Sequence, residues 1–247
     1  MIALRHITVR FGKREILNDI STDIAEGRIT AVMGPNGCGK TTLLRCIGGL
    51  LEPQRGEVLV DGTPVGSYSS RRLAQKMAFV RQQSQTDLDF SAFEIVLMGR
   101  NPYQKRLQNE SKADWDIVEH CMKQTHTWHL RFAKPGQMSG GELQRVMIAR
   151  ALAQQTPVLL MDEPVSNLDI AHQLEIMRLL RNAKEKTILI VIHDLNLALQ
   201  FCDDLMLFHE GRLLYQGPIA GGLTPENVRK VYGVESHAAE GRILFDY

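Results

Sequence analysis

One stretch of the chain has the residue types and spacing to hold phosphate. Gly34-Pro35-Asn36-Gly37-Cys38-Gly39-Lys40-Thr41 fits G-x-x-x-x-G-K-[ST] at every fixed position. Glycines in such a run let successive backbone N–H groups turn inward around phosphate oxygens without Cβ clashes. A helix starting at its end adds the positive end of a dipole. Lys40 is expected to reach the outer phosphates and the Thr41 hydroxyl to hold Mg2+, with Thr42 beside it.

A hydroxyl-bound metal needs a carboxylate as well, and Val158-Leu159-Leu160-Met161-Asp162-Glu163-Pro164 ends an apolar strand in two of them. Side-chain alternation on a strand predicts that they face different sides. Asp162 is therefore expected at the Mg2+ ion and Glu163 at an attacking water. Between these two stretches lies Met138-Ser139-Gly140-Gly141-Glu142. A serine three residues before a glutamate is a capping box, and two glycines at a helix start expose N–H groups to an anion.

The elements that must position these residues follow from apolar periodicity. Two strands over the first 25 residues flank a turn at Gly12-Lys13-Arg14, and a strand at 29–33 leads into the glycine-rich run and a helix over 40–48. Further strands are predicted at 57–60, 77–80, 158–161, 187–192 and 205–208, with helices at 70–75, 169–181 and 195–201. Residues 91–155 have helical periodicity instead, with start signals at Ser91/Glu94, Ser111/Asp114 and Ser139/Glu142. Thr224 and Pro225 are expected to cap a last short helix, and the tail after it shows no strong pattern. Short apolar strands alternating with helices imply a largely parallel sheet covered on both faces and interrupted by a helical insertion.

Composition narrows the function classes. With 247 residues, 44% hydrophobic and 23% charged, the chain is neither low-complexity nor mainly disordered. Lys plus Arg is 29 against 28 for Asp plus Glu, a net charge of +1, so no basic excess drives nucleic-acid binding. The cysteines at 38, 46, 121 and 202 include no C-x-x-C pair, which fits reduced thiols better than zinc or disulfides. Apolar runs are strand-length, and the N-terminus is broken by Arg5, His6 and Arg10, so neither a bilayer span nor a signal peptide is expected.

In combination the motifs resemble the ATP-binding cassette (ABC) ATPases. The Ser139-Gly140-Gly141-Glu142 run is similar to their signature, which in the family faces the γ-phosphate held by a second subunit. The resemblance implies an α/β P-loop NTPase core with an N-terminal antiparallel β portion and an inserted helical subdomain. It places the nucleotide-binding core at 1–85 and 156–220, the helical subdomain at 86–155 and a C-terminal helix and tail at 221–247. It further implies that Phe11 stacks on adenine and that Gln82 (or its neighbour Gln83) touches Mg2+ and the attacking water. Asp169, closing Ser166-Asn167-Leu168-Asp169, would cross to the other subunit, and His193 would contact the γ-phosphate.

Three positions depart from the family pattern: Met138 for Leu, Glu142 for Gln, and Arg81 where proline is common. Glu142 is expected to cap the helix, pointing away from phosphate. Cys38, at a helix N-terminus, is expected to have a lowered thiol pKa and to react with thiol reagents.

The segment Ile95-Val-Leu-Met-Gly-Arg-Asn-Pro-Tyr103, the stretch 168–176 and the runs at 223–226 and 231–234 resemble ATPases of ferric-siderophore, haem and cobalamin importers. That likeness implies a homodimer hydrolysing ATP with Mg2+ on the cytoplasmic side of the inner membrane, peripheral to an integral permease. An external substrate-binding protein would act indirectly, and a groove near Gln82 and Arg100 would receive a permease helix. The competing expectations are a cassette for molybdate, zinc or lipid, or a soluble ABC factor acting on a macromolecule.

Overall fold

A computed structural model describes residues 1–81, 89–104, 110–183, 185–239 and 241–245. The chain opens with β1 (Ile2–Phe11) and β2 (Arg14–Ile24), then β3 (Ile29–Met33) and α1 (Lys40–Ile47). Next come β4 (Arg55–Val60), β5 (Thr63–Pro64), α2 (Ser70–Lys76) and β6 (Met77–Val80). A helical stretch follows: α3 (Ala92–Leu97), a 3-10 turn (Met98–Tyr103), α4 (Lys112–Gln124) and α5 (Gly140–Ala153). Then come β7 (Val158–Asp162), α6 (Ile170–Asn182), β8 (Thr187–Val191), α7 (Leu195–Phe201), β9 (Asp204–His209) and β10 (Arg212–Pro218). The chain finishes with α8 (Ile219–Gly222), α9 (Pro225–Tyr232), β11 (Ser236–Ala239) and β12 (Arg242–Phe245).

Two sheets form the core. The larger runs β10-β9-β3-β8-β7-β6, and every neighbouring pair in it is parallel except β10 with β9. Its central strands β3, β7 and β8 are buried along their whole length, as a sheet covered on both faces requires. The smaller sheet, β2-β1-β4-β5, is antiparallel and packs its apolar alternation against α1. The larger sheet thus separates two apolar clusters: one shared with the small sheet and α1, the other with α6, α7 and α9.

A third cluster belongs to the helical stretch alone, where Ile95 and Val96 meet Val118 and Met122 of α4 and Val146 and Ala149 of α5. All three predicted capping boxes form: Ser91 with Glu94, Ser111 with Asp114 and Ser139 with Glu142. Thr224 caps α9 with Pro225 at its first position, as the sequence predicts.

Two features depart from expectation. β10 continues from β9 through Glu210 and Gly211, and the tail forms a hairpin, β11–β12. Leu213, Leu214 and Tyr215 of β10 are only partly buried and Leu244 of β12 is exposed, so neither strand carries the clean alternation that identifies a half-buried strand. The hairpin docks by burying Ile243 in the apolar cluster of α6, α7 and α9, and the Asn196 amide in α7 donates to Ile243 O at 3.1 Å and accepts from Ile243 N at 2.8 Å. An amide group is thereby used as a strand edge.

Arg100 also departs from expectation. It is 7% exposed and lies within the helical stretch, donating to Asp114 at 2.9 Å, Ala153 O at 2.8 Å and Gln155 Oε1 at 3.1 Å, with Tyr103 against its guanidinium. These contacts make it an internal brace, so it does not line an open groove. Gln82 and Gln83 lie outside the described residues.

Candidate functional site

In the larger sheet β8 lies between β3 and β7. All three run parallel, so the chain segments leaving their C-terminal ends meet at one edge. Crevices at strand carboxyl ends are where open α/β sheets take ligands. Here that position receives residues 34–39 from β3, Asp162 and Glu163 from β7, and His193 from β8.

Residues 34–39 are shaped by backbone geometry. Gly34 has φ +145°, and a Cβ there would sit 2.4 Å from the carbonyl oxygen of Phe208, so only glycine fits between the loop and β9. Lys40, 5% exposed, folds its ammonium back onto the loop, donating to Gly34 O at 2.8 Å and Pro35 O at 2.9 Å. Thr41 Oγ1 donates to Asp162 Oδ1 at 3.0 Å, which brings together the two groups expected at Mg2+. Asp162 is only 3% exposed, and burial raises its pKa while the Thr41 bond opposes the rise. A hydroxyl and a carboxylate form an all-oxygen donor set of the kind Mg2+ takes.

Glu163 follows the end of β7 and has φ +50°, in the left-handed region. The two carboxylates do face different partners, but this backbone turn separates them; strand alternation does not. Glu163 Oε1 meets His193 Nε2 at 2.8 Å. Phe11 is 54% exposed at the end of β1, which excludes a core role and leaves its ring facing solvent.

One pocket of about 600 Å³ is lined by Phe11, Asn36, Gly37, Gly39, Lys40, Thr41, Thr42, Glu163 and His193. Arg14 and Ile16, which the motifs do not mark, line it too. The signal for Arg14 was its register: it is the direct cross-strand partner of Phe11. Pro35 and Cys38 belong to the same loop without lining the pocket. Cys38 is buried, and desolvation raises its thiol pKa against the pull of Lys40, contrary to the activated thiol expected of a helix N-terminus.

Ser139, Gly140, Gly141, Glu142 and Asp169 do not line this pocket. They form a second locus, where Gly141 packs against Asn167 and Leu168. Ser139 N and Oγ both donate to Glu142 Oε2, at 2.7 and 2.8 Å, and Glu142 N donates back to Ser139 Oγ at 3.3 Å. These bonds, the backbone one first, hold Glu142 below its ordinary pKa. Asp169 caps α6 through His172 N at 2.9 Å, which likewise keeps its carboxyl low.

A glycine-rich loop between a buried parallel strand and a helix, with an acidic strand end beside it, defines a P-loop NTPase. Residues 17–166 match the ABC transporter family, and the chain belongs to it as an ATP-binding domain of the ABC ATPase type. Its sequence is 38% identical over 229 residues to the cobalamin import ATP-binding protein BtuD of Halobacterium salinarum. That match takes in 92% of this chain and spans only 57% of the relative. The ferric enterobactin transport ATP-binding protein FepC of Escherichia coli is 36% identical, covering 92% of this chain and 85% of its own. The hemin import ATP-binding protein HmuV of Bordetella pertussis is 37% identical, covering 94% and 92%. Among solved structures, the ATP-binding cassette MJ0796, dimeric in a post-hydrolysis state with ADP and Pi, superposes with a TM-score of 0.80 at 30% identity. That superposition covers 89% of this chain and 99% of the cassette.

Proposed function

We propose that this chain is the ATP-hydrolysing subunit that powers import of an iron chelate, haem or cobalamin-type substrate through a membrane permease. The observation carrying the reading is the convergence of Lys40, Thr41 and the Glu163–His193 pair on one pocket, with Asp162 bonded to Thr41 just behind its lining. The names of the relatives, importers of cobalamin, ferric enterobactin and hemin, support the cargo class.

Each group has a role that its position permits. Residues 34–42 cradle the phosphates, and Phe11 stacks on adenine, an interaction of about 1–3 kcal/mol for a base on an aromatic ring. Thr41 and Asp162 would hold Mg2+, which when bound would neutralise charge on the transferred phosphoryl group; Gln82, outside the described residues, would join them by the family resemblance. Glu163 accepts a proton from water as its oxygen attacks the γ-phosphorus, the bond to ADP breaks, and ADP and inorganic phosphate leave. With Glu163 ionised, its bond to His193 requires the proton on Nε2. When His193 turns that N–H to the γ-phosphate, it releases Glu163 Oε1 toward the water.

The second locus completes the site from a neighbouring copy. Ser139, Gly140, Gly141 and Glu142 face the partner's γ-phosphate, and Asp169 crosses the same boundary, so the working unit is a homodimer. The division of labour is a core at 1–85 and 156–220, a helical subdomain at 86–155 and a C-terminal segment at 221–247. The separate apolar cluster of α3, α4 and α5 supports that division. The likeness to import ATP-binding proteins supports a subunit held peripherally on the cytoplasmic face, against a permease; separately, no helix among the described residues is long and apolar enough to cross a membrane.

The test is to purify the tagged chain from native membranes in mild detergent and identify its companions by mass spectrometry. Recovery of a polytopic permease that transports ferric chelates, haem or cobalamin in vesicles is expected. Recovery of soluble protein or nucleic acid alone, with ATPase intact, overturns the importer reading.

A further inference from the structure

The nucleotide pocket contains a second cation that the motifs do not mark. Arg14 opens β2 and pairs directly with Phe11 of β1. Direct cross-strand partners project to the same face of a sheet, with Cβ atoms about 5 Å apart. Both side chains accordingly line the pocket that holds residues 36–42. A Cβ on Gly37 would lie 3.7 Å from Arg14 Nη2, so the guanidinium hangs over the middle of the phosphate loop.

The charge of Arg14 is uncommitted. The neighbouring carboxylate Glu15 is taken by Arg10, whose Nε donates to it at 2.7 Å. No ion pair or hydrogen bond engages the Arg14 side chain among the described residues. An unpaired guanidinium held over a glycine-rich loop that leads into a helix is suited to bidentate contact with phosphate oxygens. Lys40, in contrast, is bonded to its own loop carbonyls.

We propose that Arg14 is a nucleotide-binding residue that contacts the phosphate chain from the adenine side of the loop. The Phe11–Arg14 pair then works as one unit, with an aromatic surface for the base and a cation for the phosphates three residues later. This rests on the reading that the pocket takes ATP.

Calorimetric titration of the full chain with ADP and with adenosine tests it, using wild type, Arg14→Ala, Arg14→Lys and Phe11→Ala. Arg14→Ala is expected to weaken ADP about tenfold, which corresponds to about 1.4 kcal/mol. Adenosine binding should change less than twofold, and Arg14→Lys should recover most of the ADP affinity. The ADP constant of Arg14→Ala should also fall less steeply with added salt than that of wild type. Phe11→Ala is expected to weaken both ligands alike. ADP affinity in Arg14→Ala within twofold of wild type overturns the proposal, as does equal loss of ADP and adenosine, which would make Arg14 part of the base site. Wild type that binds no ADP defeats the ATPase reading itself, so the two failures are distinct. Arg14 is exposed, and unchanged thermal midpoints are expected in all variants.

Discussion

The Ser139 hydroxyl gives its only proton to Glu142, at 2.8 Å, while accepting the Glu142 N–H at 3.3 Å. A hydroxyl so engaged can accept from a partner but cannot donate to a phosphate oxygen until the Glu142 bond breaks. In the homodimer proposed above, closure of two copies around ATP would therefore have to turn the Ser139 hydroxyl away from a carboxylate that holds it.

Glu142→Gln keeps an oxygen for both Ser139 donors but removes the charge, and charge-assisted bonds are about twice as strong as neutral ones. In a Glu163→Gln background that prevents turnover, the ATP-bound dimer of Glu142→Gln should be about three- to tenfold tighter, as ~1 kcal/mol of relief gives. Analytical ultracentrifugation with ATP measures this. An unchanged or weaker dimer would show that Glu142 does not restrain Ser139.

Glu163→Gln by itself should retain ATP binding and lose hydrolysis by at least about 100-fold, the range for removing a general base. It should also accumulate an ATP-dependent dimer on gel filtration. Turnover near the wild-type rate would remove Glu163 from its role.

Burial holds the Asp162 pKa above its ordinary value of 3.8. The native state thus favours the protonated carboxyl, and the stability tied to that proton is fully present below pH 3.8 and lost as pH rises through the native value. At neutral pH the fold carries an ionised group it disfavours. Asp162→Asn should raise the nucleotide-free melting midpoint at pH 7 by about 2–4 °C, the shift that ~1 kcal/mol gives in a chain of this size. The gain should shrink toward pH 3.8 and ATPase activity should be lost. A lower midpoint at pH 7 would contradict the argument.

Asp114 behaves oppositely. The Arg100 bond, and then Ser111, keep the Asp114 carboxyl below 3.8. Its contribution is present above that pH and lost as pH falls through the native pKa. Asp114→Ala leaves a buried guanidinium uncompensated and should cost about 3 kcal/mol, or roughly 6–12 °C in melting midpoint. The gap from wild type should close in acid, and calorimetry across pH checks both.

For Cys38, burial outweighs the helix N-terminus and Lys40. At pH 7.5 its alkylation, followed by peptide mass spectrometry, should be at least about tenfold slower than that of an exposed thiol. Reaction at the free-thiol rate would restore the activated-thiol reading.

Most of the positioning framework was legible because it rests on local signals. Three serine–acid spacings each produced a capping box, and buried strands showed as unbroken apolar runs. Long-range contacts were not legible. Arg100 sits in an exposed-looking Gly-Arg-Asn-Pro segment, and only the fold reveals that Asp114 and Ala153 O surround it. Glu163 was assigned the right neighbourhood for an incomplete reason, since a left-handed turn does the work credited to strand alternation. The terminal hairpin was missed because its docking is long-range: Ile243 is buried against distant helices and bonded to a side-chain amide 47 positions away.

That amide also provides a way to observe the site. Asn196 lies in the helix three residues past His193 and grips Ile243, while the adjacent Leu244 is exposed. Any reorientation of His193 that carries α7 with it moves the outer hairpin as well. A spectroscopic label at position 244 would then follow the histidine during turnover from outside the pocket, leaving the nucleotide's own contacts untouched.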